Sequence, residues 1–204
     1  GFVVNKGNAT CDDVLELTEE EIVRQVEQDR LNLSELVGYE VVGMAYPCGG
    51  VNNDERVAAL IGANTPIRYA RTITMTHTFD LQKDNLLQFN ATAHFLDKDL
   101  ERIADEFLAM DPDKEQLFYI WGHSYEFDRD NNWELIEEFC EYMGGREDIW
   151  YATNIEIYDY VEAFHALVFS ADSKIVYNPT LVKIWFNMDK KEYSIEPGQT
   201  LVDV

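Results

Sequence analysis

Apolar residues along this chain follow two rhythms, a helical spacing of three to four positions and short unbroken runs. Ile22, Val26, Leu33 and Leu36 share one helical face, and Thr18 with Glu21 ahead of them has the spacing of a capping box. A helix is therefore predicted from there until Gly38. Val57, Leu60 and Ile61 mark a second helix, which Asn53 can cap. A third is capped by Asp97 and carries Leu100, Ile103, Ala104, Phe107 and Leu108. A fourth covers residues 132–143 and stops at Gly144-Gly145, and a last one covers 155–165. The runs at 41–46, 117–122 and 149–152 read as strands, and 67–73, though broken by Arg68 and Arg71, is strand-like too.

Strand and helix thus alternate, which predicts an α/β fold of βα units around a parallel sheet. Connections are short except over 74–96, a polar stretch of a length that marks either a functional loop or a hidden element. Beyond Val168 the texture changes to short strands with turns at Asp172-Ser173 and Asp189-Lys190. The predicted organisation is an α/β domain over 1–166 and a small antiparallel β appendage over 167–204.

A chain of 204 residues with 46% hydrophobic and 13% aromatic content can bury a sizeable core. No apolar run approaches the roughly 18 residues of a membrane span, and no charged-then-apolar leader opens the sequence; Gly1 reads as a cleavage scar, so a natural N-terminus upstream of it is expected. The 39 acidic residues against 16 basic ones give a net charge of −23, which repels nucleic-acid phosphates and anionic lipid and argues against both as partners. Cys11, Cys48 and Cys140 form neither a disulfide framework nor a zinc knuckle.

Chemistry concentrates where the run 117–122 ends, in His123-Ser124-Tyr125-Glu126-Phe127-Asp128. In parallel α/β folds, ligands and catalytic groups gather at the carboxyl ends of strands, so His123 is the leading candidate. His94 and His77 lie in the long polar segment and follow it in that order; His165, late in the last helix, reads as a surface or packing residue. No HxH, HxxxH or HExxH spacing offers a local metal motif, and no Gly-x-Ser-x-Gly elbow offers a nucleophile. Cys48 is the best thiol, but in Pro47-Cys48-Gly49-Gly50 it also reads as a small turn residue. Gly49-Gly50 does not continue into a phosphate-binding loop.

Three stretches together resemble the polysaccharide deacetylase family of carbohydrate esterases: Gly43-Met44-Ala45-Tyr46-Pro47-Cys48-Gly49, Tyr69-Ala70-Arg71-Thr72, and residues 118–128 around His123. With Trp150-Tyr151-Ala152-Thr153-Asn154, they are most similar to a bacterial branch with a β-rich tail. The resemblance implies an incomplete, distorted (β/α) barrel and metal-dependent hydrolysis of acetyl groups from carbohydrate. It implies His123 as the general acid. Tyr46, Pro47, Cys48, Gly49, His94, Trp121 and Tyr125 would bind an N- or O-acetylated glycan. The family holds a divalent metal, often zinc, with one Asp and an H-x-x-x-H pair, while a second Asp acts as base. This chain has no paired-Asp strand, and its positions 7–13 (Gly7 to Asp13) lack both histidines. No metal ligand is therefore assigned, and the expected protein is a hydrolase relative that is inactive or impaired, missing its first βα unit or units. The alternative is a non-catalytic carbohydrate-binding or structural module, self-associating to cover open sheet edges.

Overall fold

A computed structural model describes residues 18–47, 52–110 and 115–204. The expectations placed on positions 7–13 and on Cys48 and Gly49 lie outside these residues. The chain divides into two compact units, Gly1–Tyr151 and Ala152–Val204.

The first unit opens with α1 (Glu19–Val37). Its capping box forms as predicted: the Thr18 hydroxyl accepts the Glu21 N–H at 3.3 Å, and the Glu21 carboxylate accepts the Thr18 N–H at 3.0 Å. Such a cap contributes about 1 kcal/mol. Gly38 ends the helix at φ 78°, where a side chain would be strained. Then follow β1 (Gly43–Ala45), α2 (Glu55–Asn64), β2 (Tyr69–Met75), a 3-10 turn (Leu86–Gln88), β3 (Phe89–Ala91), β4 (Ala93–His94), α3 (Leu100–Leu108), β5 (Ile120–Trp121), α4 (Ser124–Asp130) and α5 (Trp133–Met143). The β1–β2, β2–β3 and β4–β5 pairs are all parallel. Only Thr92 separates β3 from β4. Its N–H donates to the Tyr119 carbonyl at 2.7 Å and its carbonyl accepts the His77 N–H at 3.0 Å. The line 89–94 is thereby bonded to β2 on one side and to β5 on the other, and the parallel strands run in chain order.

Two apolar clusters support these strands. Tyr46, Val57, Ile61, Ile67 and Ala70 pack with Ile22, Val26, Met44 and Leu87, joining α1 and α2 to β1 and β2. Phe79, Ala93, Leu100 and Ile103 pack with Phe107, Phe118, Ile120 and Phe139, joining α3 and α5 to β4 and β5. Each fully buried side chain of this size contributes roughly 1.5–3 kcal/mol.

Several expectations are corrected. The polar segment 74–96 contains the 3-10 turn, β3 and β4. It conceals them because its polar groups find their partners outside it: the Thr72 hydroxyl donates to Asn90 Oδ1 at 2.6 Å, and the buried Thr92 hydroxyl donates to the Leu117 carbonyl at 3.2 Å. The run at 117–122 shortens to β5 and is half-buried, not enclosed on both faces. No strand forms at 149–152. Trp150 and Tyr151 are exposed, and the Tyr151 hydroxyl instead caps the end of α5, donating to the Met143 carbonyl at 2.6 Å. Asp54, not Asn53, caps α2, because its Oδ1 reaches the Val57 N–H at 2.7 Å.

The second unit comprises α6 (Asn154–His165), β6 (Val168–Phe169), β7 (Ile175–Tyr177), β8 (Ile184–Met188), β9 (Lys191–Ile195) and β10 (Thr200–Val202). Its sheets are antiparallel, in the order β10-β7-β6 and as a β8–β9 hairpin. Ala163 and Leu167 share one core with Val176, Ile184, Phe186 and Ile195, so α6 groups with the β-rich segment. Among the described residues no helix is long and apolar enough to cross a membrane.

Candidate functional site

β4 and β5 pair in parallel with His94 opposite Trp121, so both residues stand at the carboxyl ends of their strands. The chain leaves β5 through Gly122, where there is no room for a side chain: a Cβ would lie 1.7 Å from Phe95 Cε1. Phe95 is buried and stacks between the His94 ring, at 4.6 Å, and the Phe127 ring, at 4.2 Å. This row ties the end of β4 to α4, and the glycine lets the helix begin directly after the strand. His123 becomes its N-cap residue.

Glu126 then reaches back over one helical turn. Its Oε2 accepts the His123 backbone N–H at 3.0 Å and faces His123 Nδ1 at 3.1 Å. The same oxygen lies 3.5 Å from His94 Nε2. Burial opposes the Glu126 charge most strongly, but the bonds from the His123 ring and backbone, with His94 beside them, outweigh it and hold the carboxyl below its ordinary range. An ionised carboxylate only accepts, so His123 carries a proton on Nδ1, and Nε2 is the nitrogen left to exchange one. His94 is fixed the other way. Its Nδ1 accepts the Leu96 N–H at 3.1 Å, so neutral His94 carries its proton on Nε2, toward Glu126. Burial pushes His94 below its ordinary pKa, against the attraction of Glu126.

Arg71, on β2, lays its guanidinium 4.1 Å over the Trp121 ring, and the His94 ring meets Trp121 edge-on at 4.6 Å. The Tyr125 ring lies 5.1 Å from that of His123 and is largely exposed. His123, His94, Trp121 and Tyr125 therefore stand together at this rim. Tyr46 is elsewhere in role: it is buried in the α1/α2 cluster, its hydroxyl donates to the Leu87 carbonyl at 2.7 Å, and burial raises its pKa. The Pro47 carbonyl accepts from the Asn52 side chain at 2.6 Å. His77 adopts φ 52° and its Nε2 lies 2.8 Å from Asp97 Oδ2. His165 is exposed at the end of α6.

Two groups central to this geometry were named in the sequence but given no role. Glu126 carried a signal, the i, i+3 spacing from His123 that a capping carboxylate uses, but α4 itself was not expected. Arg71 carried a fainter one, a lone cation in a half-buried strand.

Ligand atoms of His94, His123 and Glu126 all lie within 4.8 Å of one another, close enough to suit a cation. The hydrogen bonding does not fit one as it stands. Ligation through His94 Nε2 would move the proton to Nδ1, where the Leu96 N–H already points, and two donors would then face each other. No family model, curated protein or solved structure matches this chain.

Proposed function

We propose that this chain is a polysaccharide-deacetylase-like protein that holds acetylated glycan at the carboxyl ends of β4 and β5. On this reading it keeps the acid side of the family's hydrolysis and has little or no turnover of its own. The reading rests above all on the Glu126 carboxylate, which engages both the backbone and the ring of His123 and leaves Nε2 open. A protonated Nε2 can give its proton to the leaving oxygen or nitrogen of an acetylated sugar, while Glu126 holds the ring in place. The exposed Tyr125 ring offers a flat apolar face to a pyranose, and the half-buried Trp121 ring lies against the same His123, at 5.7 Å. The parallel strands in chain order, with α2 and α3 between them, support the incomplete barrel of the family.

In the family a divalent metal, often zinc, supplies hydroxide near neutral pH. No step is routed through it here. Positions 7–13 carry no histidine, and in the His94–Glu126–His123 trio the Glu126 carboxylate is already taken by the His123 backbone and ring while His94 Nδ1 accepts the Leu96 N–H.

Two measurements on one oligomer test the reading: calorimetric titration with an acetylated chito-oligosaccharide, and acetate release from it with and without zinc. The expected outcome is binding that weakens in Tyr125→Ala, with no zinc-stimulated release. Stoichiometric zinc together with acetate release that depends on His123 would overturn the impairment. No binding to any glucosamine-based oligomer would remove the glycan reading itself.

A further inference from the structure

In a chain where acidic residues outnumber basic ones 39 to 16, cations find carboxylates easily. Buried Arg30 is held by Glu27 and Glu40, and exposed Arg102 and Arg129 by Glu106 and Asp130. Arg71 is different. It is half-buried, yet among the described residues no carboxylate lies within ion-pair range of it. Its Nη1 donates to the Thr72 carbonyl at 2.9 Å, and one face of the guanidinium is covered by Trp121. Among the described residues, the edge formed by Nε and Nη2 has no acceptor. Burial also lowers its pKa, the mark of a cation that has lost water without gaining a counter-charge. A desolvated cation with no partner is costly unless something outside the fold completes it.

The surroundings say what would. The Trp121 ring that carries Arg71 also meets the rings of His94 at 4.6 Å and His123 at 5.7 Å. The nearby carboxylate, Glu126, is already engaged by His123. A planar, singly charged group with two oxygens matches the open guanidinium edge in shape and charge. A phosphate dianion would ask for more positive charge than one guanidinium beside Glu126 supplies.

We propose that Arg71 recognises a carboxylate on the bound glycan, so that the site prefers an acidic sugar, either a uronic acid or an amino sugar bearing an ether-linked carboxylic acid. This rests on the glycan reading above.

The test compares acids with their own methyl esters. N-acetylmuramic acid and glucuronic acid, each free and as its ester, are titrated against the protein by NMR or calorimetry, with N-acetylglucosamine and acetate ion as single-feature controls. At least one acid is expected to bind about ten- to a hundredfold tighter than its ester, the range of a charge-assisted hydrogen-bonded pair. Which acid shows the advantage identifies the source of the carboxylate. The advantage should vanish in Arg71→Met and fall severalfold in Arg71→Lys, which keeps the charge but loses the fork. The thermal midpoint of Arg71→Met should not fall below that of the unaltered protein, as it would if the stack on Trp121 were only structural. Equal binding of acid and ester, or an advantage that survives Arg71→Met, overturns the inference while leaving the glycan reading intact. Acetate competing as well as any acidic sugar, with no neutral sugar bound, overturns the glycan reading and with it the substrate class.

Discussion

The β8–β9 hairpin and the rim built from β4, β5 and α4 both bring a strand to its end, and they do it by opposite means. In the hairpin, burial alternates residue by residue along Ile184–Met188. Ile184 faces Ile195, and Phe186 faces Tyr193 with their rings stacked at 5.4 Å. A repeated cross-strand pattern does the work there. The rim has strands of two residues and no alternation. It is held by single contacts: a phenylalanine over a glycine, a carboxylate on a histidine's backbone and ring, a cation on an indole. Elements whose local signals agree can lose one contact and keep their shape, whereas exceptions concentrate where a site must be shaped.

The largest effect that sharpens this contrast is expected at Gly122. The new methyl group of Gly122→Ala must displace the Phe95 ring, and that ring cannot swing freely between His94 and Phe127. Overpacking of this kind costs about 1–3 kcal/mol. Urea unfolding should show a loss in that range, and the ring resonances of His94 and His123 should shift. A variant as stable as the parent, with those resonances unmoved, would mean that the rim is as tolerant as the hairpin.

Next comes Glu126→Gln, read through pH. A carboxyl held below its ordinary value of 4.5 in the fold contributes stability above that value, and loses it as pH falls through the window below. His94, also lowered, acts in the same sense at higher pH: as pH falls through its ordinary value of 6.5, the unfolded chain takes up the proton first and stability drops. Removing the Glu126 charge should lower the thermal midpoint at neutral pH and flatten its decline from about pH 5 to about pH 3. The decline around the His94 value should remain or steepen, since Glu126 is the group that favours the His94 charge. An unchanged acid limb would mean that the Glu126 charge contributes nothing to holding His123.

The same contrast explains what could be read in the sequence. The capping box at Thr18, the stop at Gly38 and the turn at Asp189-Lys190 are local, and each formed where its residues stand. Strands β3 and β4 were hidden because Asn90 and Thr92 look like loop residues until their partners, Thr72 and the backbone at Leu117 and Tyr119, arrive from elsewhere in the chain. β10 was hidden because a three-residue strand after Pro197-Gly198 is specified only by β7 beside it. At the site, His123 was legible from its place after an apolar run. Its link to His94 was not, since it runs through a carboxylate on a helix of seven residues with no apolar periodicity of its own.

The smallest effect lies in the hairpin and has the opposite sign. Met188 pairs with Lys191, so Asp189 and Lys190 form a two-residue turn, and both have positive φ, at 51° and 64°. Two-residue hairpin turns of this hand favour Asp-Gly, because the right-handed twist of the strands requires left-handed backbone at the tip. Lysine bears a Cβ penalty there of about 1 kcal/mol or somewhat more, part of which glycine returns as extra freedom in the unfolded chain. Lys190→Gly is therefore expected to stabilise the second unit by about 0.5–1 kcal/mol, seen as a raised midpoint in chemical unfolding followed by Trp185. The rim should not register the change: the His94 and His123 resonances should stay in place. If Lys190→Gly instead moved those resonances, the hairpin and the rim would be coupled, and the contrast between a self-sufficient element and a contact-by-contact one would fail.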